Sequence, residues 1–212
     1  MRRNVLNLFT IMALSIALIG CKKKADEAKT SEAENASTAQ VTSAKYMANP
    51  AESIIEWKGY KPTGSHIGTI MVESGVFSVN DGKIESGSFL IDMNSIKESE
   101  GSERLEGHLK SADFFEVEKY ANSAFEVTGL EEVDGIMLLS GNLTMKEKKN
   151  NVTFPVTISS DGDNFTLTSD TFTIDRSKWD VKFKSKSFFS DLGDNFINDD
   201  IELKITLKAK KS

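Results

Sequence analysis

A single cysteine, Cys21, stands in 212 residues, so no internal disulfide exists and the fold must be held by its core. The two histidines, His66 and His108, exclude a three-histidine zinc centre, and a site of two histidines and one carboxylate would have to use both. No serine stands in a G-x-S-x-G turn. The nearest match, Ser86-Gly87-Ser88, lies inside a strand pattern, where glycine marks a bulge or a close backbone approach. The acidic stretch 191–202, DLGDNFINDDIE, fails as a calcium loop, because Gly193 and Phe196 fall where an EF-hand needs a ligand and the turn glycine. Acidic residues outnumber basic ones by 32 to 26, which leaves no basic footprint for nucleic acid. These absences argue against an enzyme and against a metal or cofactor.

What is present begins with a leader. Met1-Arg2-Arg3 is a positive n-region and Val5 to Ile19 an apolar run too short to span a bilayer. It closes on Leu18-Ile19-Gly20-Cys21, which resembles a bacterial lipobox and implies cleavage before Cys21 with diacylglycerol on its sulfur. The expectation is a leader over 1–20 and an acylated Cys21 followed by a disordered tether over 21–45. A globular domain then covers 46–212. Lys22 to Lys45 has no aromatic residue and only Val41 as a large aliphatic, too little to order a chain. A coil of that length spans roughly 25–30 Å. The lipobox resemblance implies the cell envelope, with the domain held on a bacterial membrane, the outer one, in the periplasm or at the surface.

From residue 46 onward the hydropathy has period two. Val152, Phe154, Val156 and Ile158 alternate with polar residues or Pro, as do Ile201, Leu203, Ile205 and Leu207. Asp81-Gly82, Asp134-Gly135 and Asp161-Gly162 supply hairpin turns between such runs. The pattern predicts strands near 52–60, 66–73, 75–80, 83–93, 123–131, 136–146, 151–158 and 164–174, with 178–185 and 200–210 completing an all-β, antiparallel sheet, either barrel or sandwich. One helix interrupts it: Ser102 is a candidate cap, Glu106 and Lys110 pair at i,i+4, and Leu105, His108, Leu109 and Ala112 share a face. So short a helix needs an apolar support. With Phe114 and Phe115 behind it, it reads as a stopper at the strand ends.

Rings are spread over nearly every strand: Trp57, Phe89, Phe114, Phe115, Phe125, Phe154, Phe172 and Trp179 are the candidates to line an interior. Composition cannot tell a filled interior from one that holds an apolar ligand. His66, Arg176 or Lys61 would meet a polar head, although Arg176 also reads as a structural ion pair with Asp175 or Asp113.

The motifs, taken in order, resemble the YceI-like family of polyisoprenoid-binding proteins. They are WKGYKPTGSHIGTI (57–70), HLKSADFFEVEKYANSAF (108–125), GNLTMKEKKNNVTFPV (141–156) and FTIDRSKWDVKFKS (172–185). The resemblance covers nearly all of 52–210, with Ala121 standing where many members carry Pro. It implies an extended, eight-stranded, lipocalin-like barrel with a helix near the strand ends and a tunnel for an isoprenoid or another long-chain amphiphile. Expected partners are that lipid, a membrane through the N-terminal anchor, and a second copy of the chain in a homodimer. A ligand-free scaffold with a packed interior, and a weak enzyme acting through His66 or His108, are the rival readings.

Overall fold

The computed structural model describes residues 25–212; the leader and Cys21 lie outside the described residues. In chain order the elements are β1 (Asp26–Glu27), β2 (Lys29–Glu32), β3 (Ala44–Ala48), β4 (Ile54–Lys61), β5 (Gly64–Asn80), β6 (Lys83–Glu98), the helix α1 (Glu103–Lys110), β7 (Asn122–Val133), β8 (Ile136–Met145), β9 (Lys148–Asp161), β10 (Asn164–Ser169), β11 (Phe172–Asp175) and β12 (Asp200–Lys211). From β5 to β10 each strand pairs antiparallel with the next, and β12 joins β10 to β4, which closes a ring of eight strands. Two positions in the ring are shared by consecutive strands. β3 and β4 both lie between β5 and β12, and β10 and β11 both pair with β12.

The turns follow from backbone sterics. Asp81-Gly82 and Asp134-Gly135 take φ of 48° and 75°, and of 53° and 80°, the doubly positive pair that a two-residue hairpin demands. Lys146-Glu147 does the same at 47° and 63° without any glycine, so composition gave no warning of that turn. The helix is capped as expected, the Leu105 N–H donating to Ser102 Oγ at 3.4 Å.

Three expectations are corrected. The runs 66–73 and 75–80 form one strand, because a bulge between Val72 and Ser74 absorbs the change of parity. The run 164–174 breaks at 170–171 into β10 and β11. The run 178–185 is no strand: Asp180 and Lys184 adopt φ of 64° and 50°, and the carbonyls of Val181 and Phe183 accept from Arg176 rather than from a neighbouring strand.

The largest difference concerns the tether. Residues 26–32 are strands, and Ala28 is buried at 4% exposure. β1 lies parallel to β11 and β2 antiparallel to β9, bridging the two below the end of β10. The segment then crosses the outside of the ring. The Asn142 amide clasps the Glu34 backbone, accepting from its N–H at 3.0 Å and donating to its C=O at 2.7 Å, and the Ser37 N–H donates to Val127. Glu85 accepts from Gln40 N–H and Ser43 Oγ. Backbone pairing and buried amides hold this chain, neither of which a hydrophobicity count detects.

Candidate functional site

Inside the ring the rings of Phe165, Phe77, Phe89, Phe125, Phe154 and Phe172 form a continuous column, with successive centroids 5.0, 5.8, 6.5, 5.9 and 4.3 Å apart. Tyr46 stacks on Phe77 at 5.6 Å. Such spacings are those of attractive aromatic pairs. The column lies close to the wall because glycines make room. A Cβ on Gly141 would stand 2.2 Å from the Phe125 ring, and one on Gly75 would stand 2.3 Å from that of Phe89, its cross-strand partner. Phe154 and Phe172, parallel within 6° and each 3% exposed, are closed against each other instead of lining open space.

A different part of the inner face is less tightly covered. Ile55, Trp57, Ile70, Leu203 and Ile205 sit in one register patch, Ile55 opposite Ile70 and Ile205, Trp57 opposite Leu203. All are only partly buried although they pack against the core, and so are Leu109, Phe115, Phe125 and Leu143. Within this patch the Trp57 indole lies over Gly68, a Cβ on which would be 2.5 Å from the ring, and its buried Nε1–H has no acceptor among the described residues. A cleft of about 230 Å³ lies on the outward side of the same strands, lined by Glu56, Lys58, Thr69, Glu202 and Lys204, which alternate with the patch, and reaching Trp57 and Gly68.

The stopper end is built around Arg176. At 1% exposure its guanidinium donates to the carbonyls of Val181, Phe183, Ile197 and Asn198, and lies 3.3 Å from Asp199 Oδ1. Burial pushes its pKa down, while Asp199 and Asp175 act in the opposite direction. Four of its five N–H donors are committed to backbone carbonyls and the group is buried, so the head-group role expected of Arg176 is corrected to that of a fastener, and its ion-pair partner is Asp199 rather than Asp175 or Asp113. Trp179, fully buried, donates to the Leu143 carbonyl at 2.8 Å and is likewise a wall component. Phe114 packs with His108 and Phe183, centroids 5.1 and 5.4 Å away.

The two histidines serve different carboxylates. His66 Nδ1 is 3.4 Å from Glu98, and His108 Nε2 is 2.9 Å from Asp113. Glu98 sits below the usual carboxylate range because the Ser102 N–H donates to it, with smaller help from His66 and Glu100, against the opposing effect of burial. Its neighbour Glu106 is lowered by the Glu98 N–H and by Lys97, 3.0 Å away. Among the described residues no three His, Cys, Asp or Glu side chains group as a metal site.

The YceI-like domain family matches residues 46–209. The chain belongs to the YceI-like family. Solved structures repeat the fold. BcnA of Burkholderia cenocepacia superposes with a TM-score of 0.60 at 21% identity over 76% of this chain and 98% of that one. A polyisoprenoid-binding domain from Saccharophagus degradans gives 0.59 at 13% identity, covering 79% and 98%. A YceI protein of Campylobacter jejuni gives 0.50 at 17% identity, covering 98% and 99%. No curated protein matches the chain in sequence. The YceI-like match begins at residue 46, so the docked segment 25–45 lies outside it.

Proposed function

We propose that this YceI-like protein is a membrane-tethered, non-enzymatic binding protein for a long-chain apolar lipid, an isoprenoid or a similar amphiphile. The tail lies against the patch of Ile55, Trp57, Ile70, Leu203 and Ile205. The observation that carries the reading is that this inner-face patch is apolar, incompletely covered, and contains one buried donor, Trp57 Nε1–H, with no acceptor among the described residues. An apolar chain burying itself there gains about 25 cal/mol per Å², and an oxygen at its head would satisfy the indole. Kinship with a domain whose solved relative is described as polyisoprenoid-binding supports the lipid class. The anchor is Cys21, acylated at the lipobox, which holds the domain at the cell envelope on the outer membrane.

The test is lipid extraction and native mass spectrometry of protein purified without harsh detergent, which also reads out a homodimer. Bound lipid in the parent chain and its loss in a folded Leu203→Asp variant is the expected result. Lipid-free parent protein would favour the second reading, a scaffold with a filled interior, for which the closed Phe154–Phe172 contact is the supporting observation.

A further inference from the structure

One stretch of the ring wall differs from the rest in what it is made of. Below Ser169, where β10 stops, β9 and β11 do not pair with each other. The space between them is filled by residues 26–32, which pair with β11 through Asp26 and Glu27 and with β9 from Lys29 to Glu32. Neighbouring strands press large side chains into the core at this level: Val152, Phe154, Phe172 and Ile174. The inserted segment contributes Ala28 alone. Its hold is the short pairing with β11, including the Ala28 N–H to Thr173 C=O bond of 2.8 Å, a four-residue ladder to β9 and an exposed Lys178–Glu27 ion pair at 3.3 Å. At the same seam Thr173, 1% exposed, keeps a hydroxyl with no partner among the described residues, a cost of the closed form that water would relieve on opening. Segments with little buried apolar contact are those that open first.

We propose that residues 26–32 form a detachable section of the wall, and that the opening beneath it, over the Phe154–Phe172 pair, is a side port through which the lipid tail passes. The Asn142 clasp on Glu34 is the fixed end about which the section swings. Its other end runs into Cys21, four residues before Ala25 and so within about 14 Å of it along the chain. An acylated Cys21 therefore keeps the port beside the bilayer, and tails reach it laterally from the membrane. The port rests on the lipid reading above, whereas the detachable wall does not.

The experiment uses the full chain with Cys21→Ser and a Lys29→Cys, Thr153→Cys pair, cross-strand partners on the exposed side of the seam. Antiparallel partners have the Cα spacing that a disulfide accepts. Uptake of N-phenyl-1-naphthylamine, an apolar dye, is followed by stopped flow with the pair oxidised and reduced. Oxidation should slow loading at least tenfold. Hydrogen exchange on the reduced chain should show the Ala28 amide exchanging at least a hundredfold faster than the amides of Leu167 and Leu207. Equal loading rates in both redox states overturn the port. Exchange at Ala28 as slow as in the core overturns the detachable wall, whatever the dye does. Fast exchange without dye uptake in either state upholds the wall section and removes the lipid reading.

Discussion

Replacing Arg176 by Met tests how the stopper end is held together. The methionine fits the buried volume but donates nothing, so the carbonyls of Val181, Phe183, Ile197 and Asn198 lose their donor and Asp199 loses its counter-ion. Each buried acceptor left unpaired costs about 1–3 kcal/mol, and breaking a buried ion pair from one side costs about 3–5 kcal/mol. Those figures overlap rather than add, since the loop 181–199 can relax and admit water once its fastener is gone. The expected loss is therefore about 3–5 kcal/mol in urea unfolding at neutral pH, with a Tm lower by roughly 10 °C. Arg176→Lys should recover little, because an ammonium on a flexible stem cannot reach four carbonyls fanned around a planar group. Asp199→Asn should cost less, since Ser185 and Ser187 can still donate to its remaining oxygen. A loss below about 1 kcal/mol for Arg176→Met would refute the reasoning and return the guanidinium to the list of groups free to meet a ligand.

Gly141→Val places a branched side chain where the Phe125 ring already lies, and overpacking of this kind should lower stability by about 1–3 kcal/mol or more in thermal melts; an unchanged Tm would mean the ring has room to move. Glu98 and Glu106 are both held below the ordinary carboxylate range, so their contribution is complete above the unfolded pKa of about 4.3 and fades as pH falls through the lower folded values. Glu98→Gln should flatten the loss of Tm between pH 5 and 3 that the parent shows, and parallel acid curves for the two would dispose of the link. Asn142→Ala deprives the Glu34 backbone of both bonds and should make residues 33–36 the first site of limited proteolysis, at about 1–2 kcal/mol of stability; cleavage elsewhere first would show that the clasp does not hold the segment.

Period-two patterning located most of the ring, because each wall strand turns one face to a common core and the alternation survives at Val152, Phe154 and Val156 or Ile201, Leu203 and Ile205. The same pattern misled at Trp179, Val181 and Phe183. Those residues are buried or packed for the sake of Arg176, and two left-handed residues make the alternation coincidental. The docking of residues 26–32 was illegible for the opposite reason: Ala28 is the only side chain it buries, and backbone ladders leave no trace in composition. Candidate ligand residues divided along similar lines. Rings could be named from the sequence, but whether a ring is closed against another, as Phe154 is against Phe172, or stands partly uncovered, as Trp57 does, depends on strand register, which the sequence does not display. The missed members of the patch, Ile55, Ile70, Leu203 and Ile205, carried no signal beyond ordinary core alternation, and only strand register brings them together.

The docked segment also changes what an anchor at Cys21 would do. A free coil of the expected 24 residues would hold the ring some 25–30 Å from the bilayer, so a tail leaving the membrane would cross water before reaching the interior. Each exposed methylene costs about 0.8 kcal/mol, so ten of them in transit would raise a barrier of about 8 kcal/mol. With the chain tied down from Asp26 onward, at most about 14 Å of backbone separates Ala25 from Cys21, and an anchor there would hold the flank bearing the seam between β9 and β11 against the lipid surface. A tail moving from bilayer to port would then cross only that short gap, past the exposed Asp26, Glu27 and Lys29, and the barrier would become that of parting the segment's backbone ladders and its one buried alanine. Lengthening the chain between Cys21 and Ala25 with twenty Gly and Ser residues leaves the fold and the interior untouched, so it should slow lipid transfer from vesicles without changing the amount bound at equilibrium. Unaltered transfer rates would mean that tails do not travel by that side.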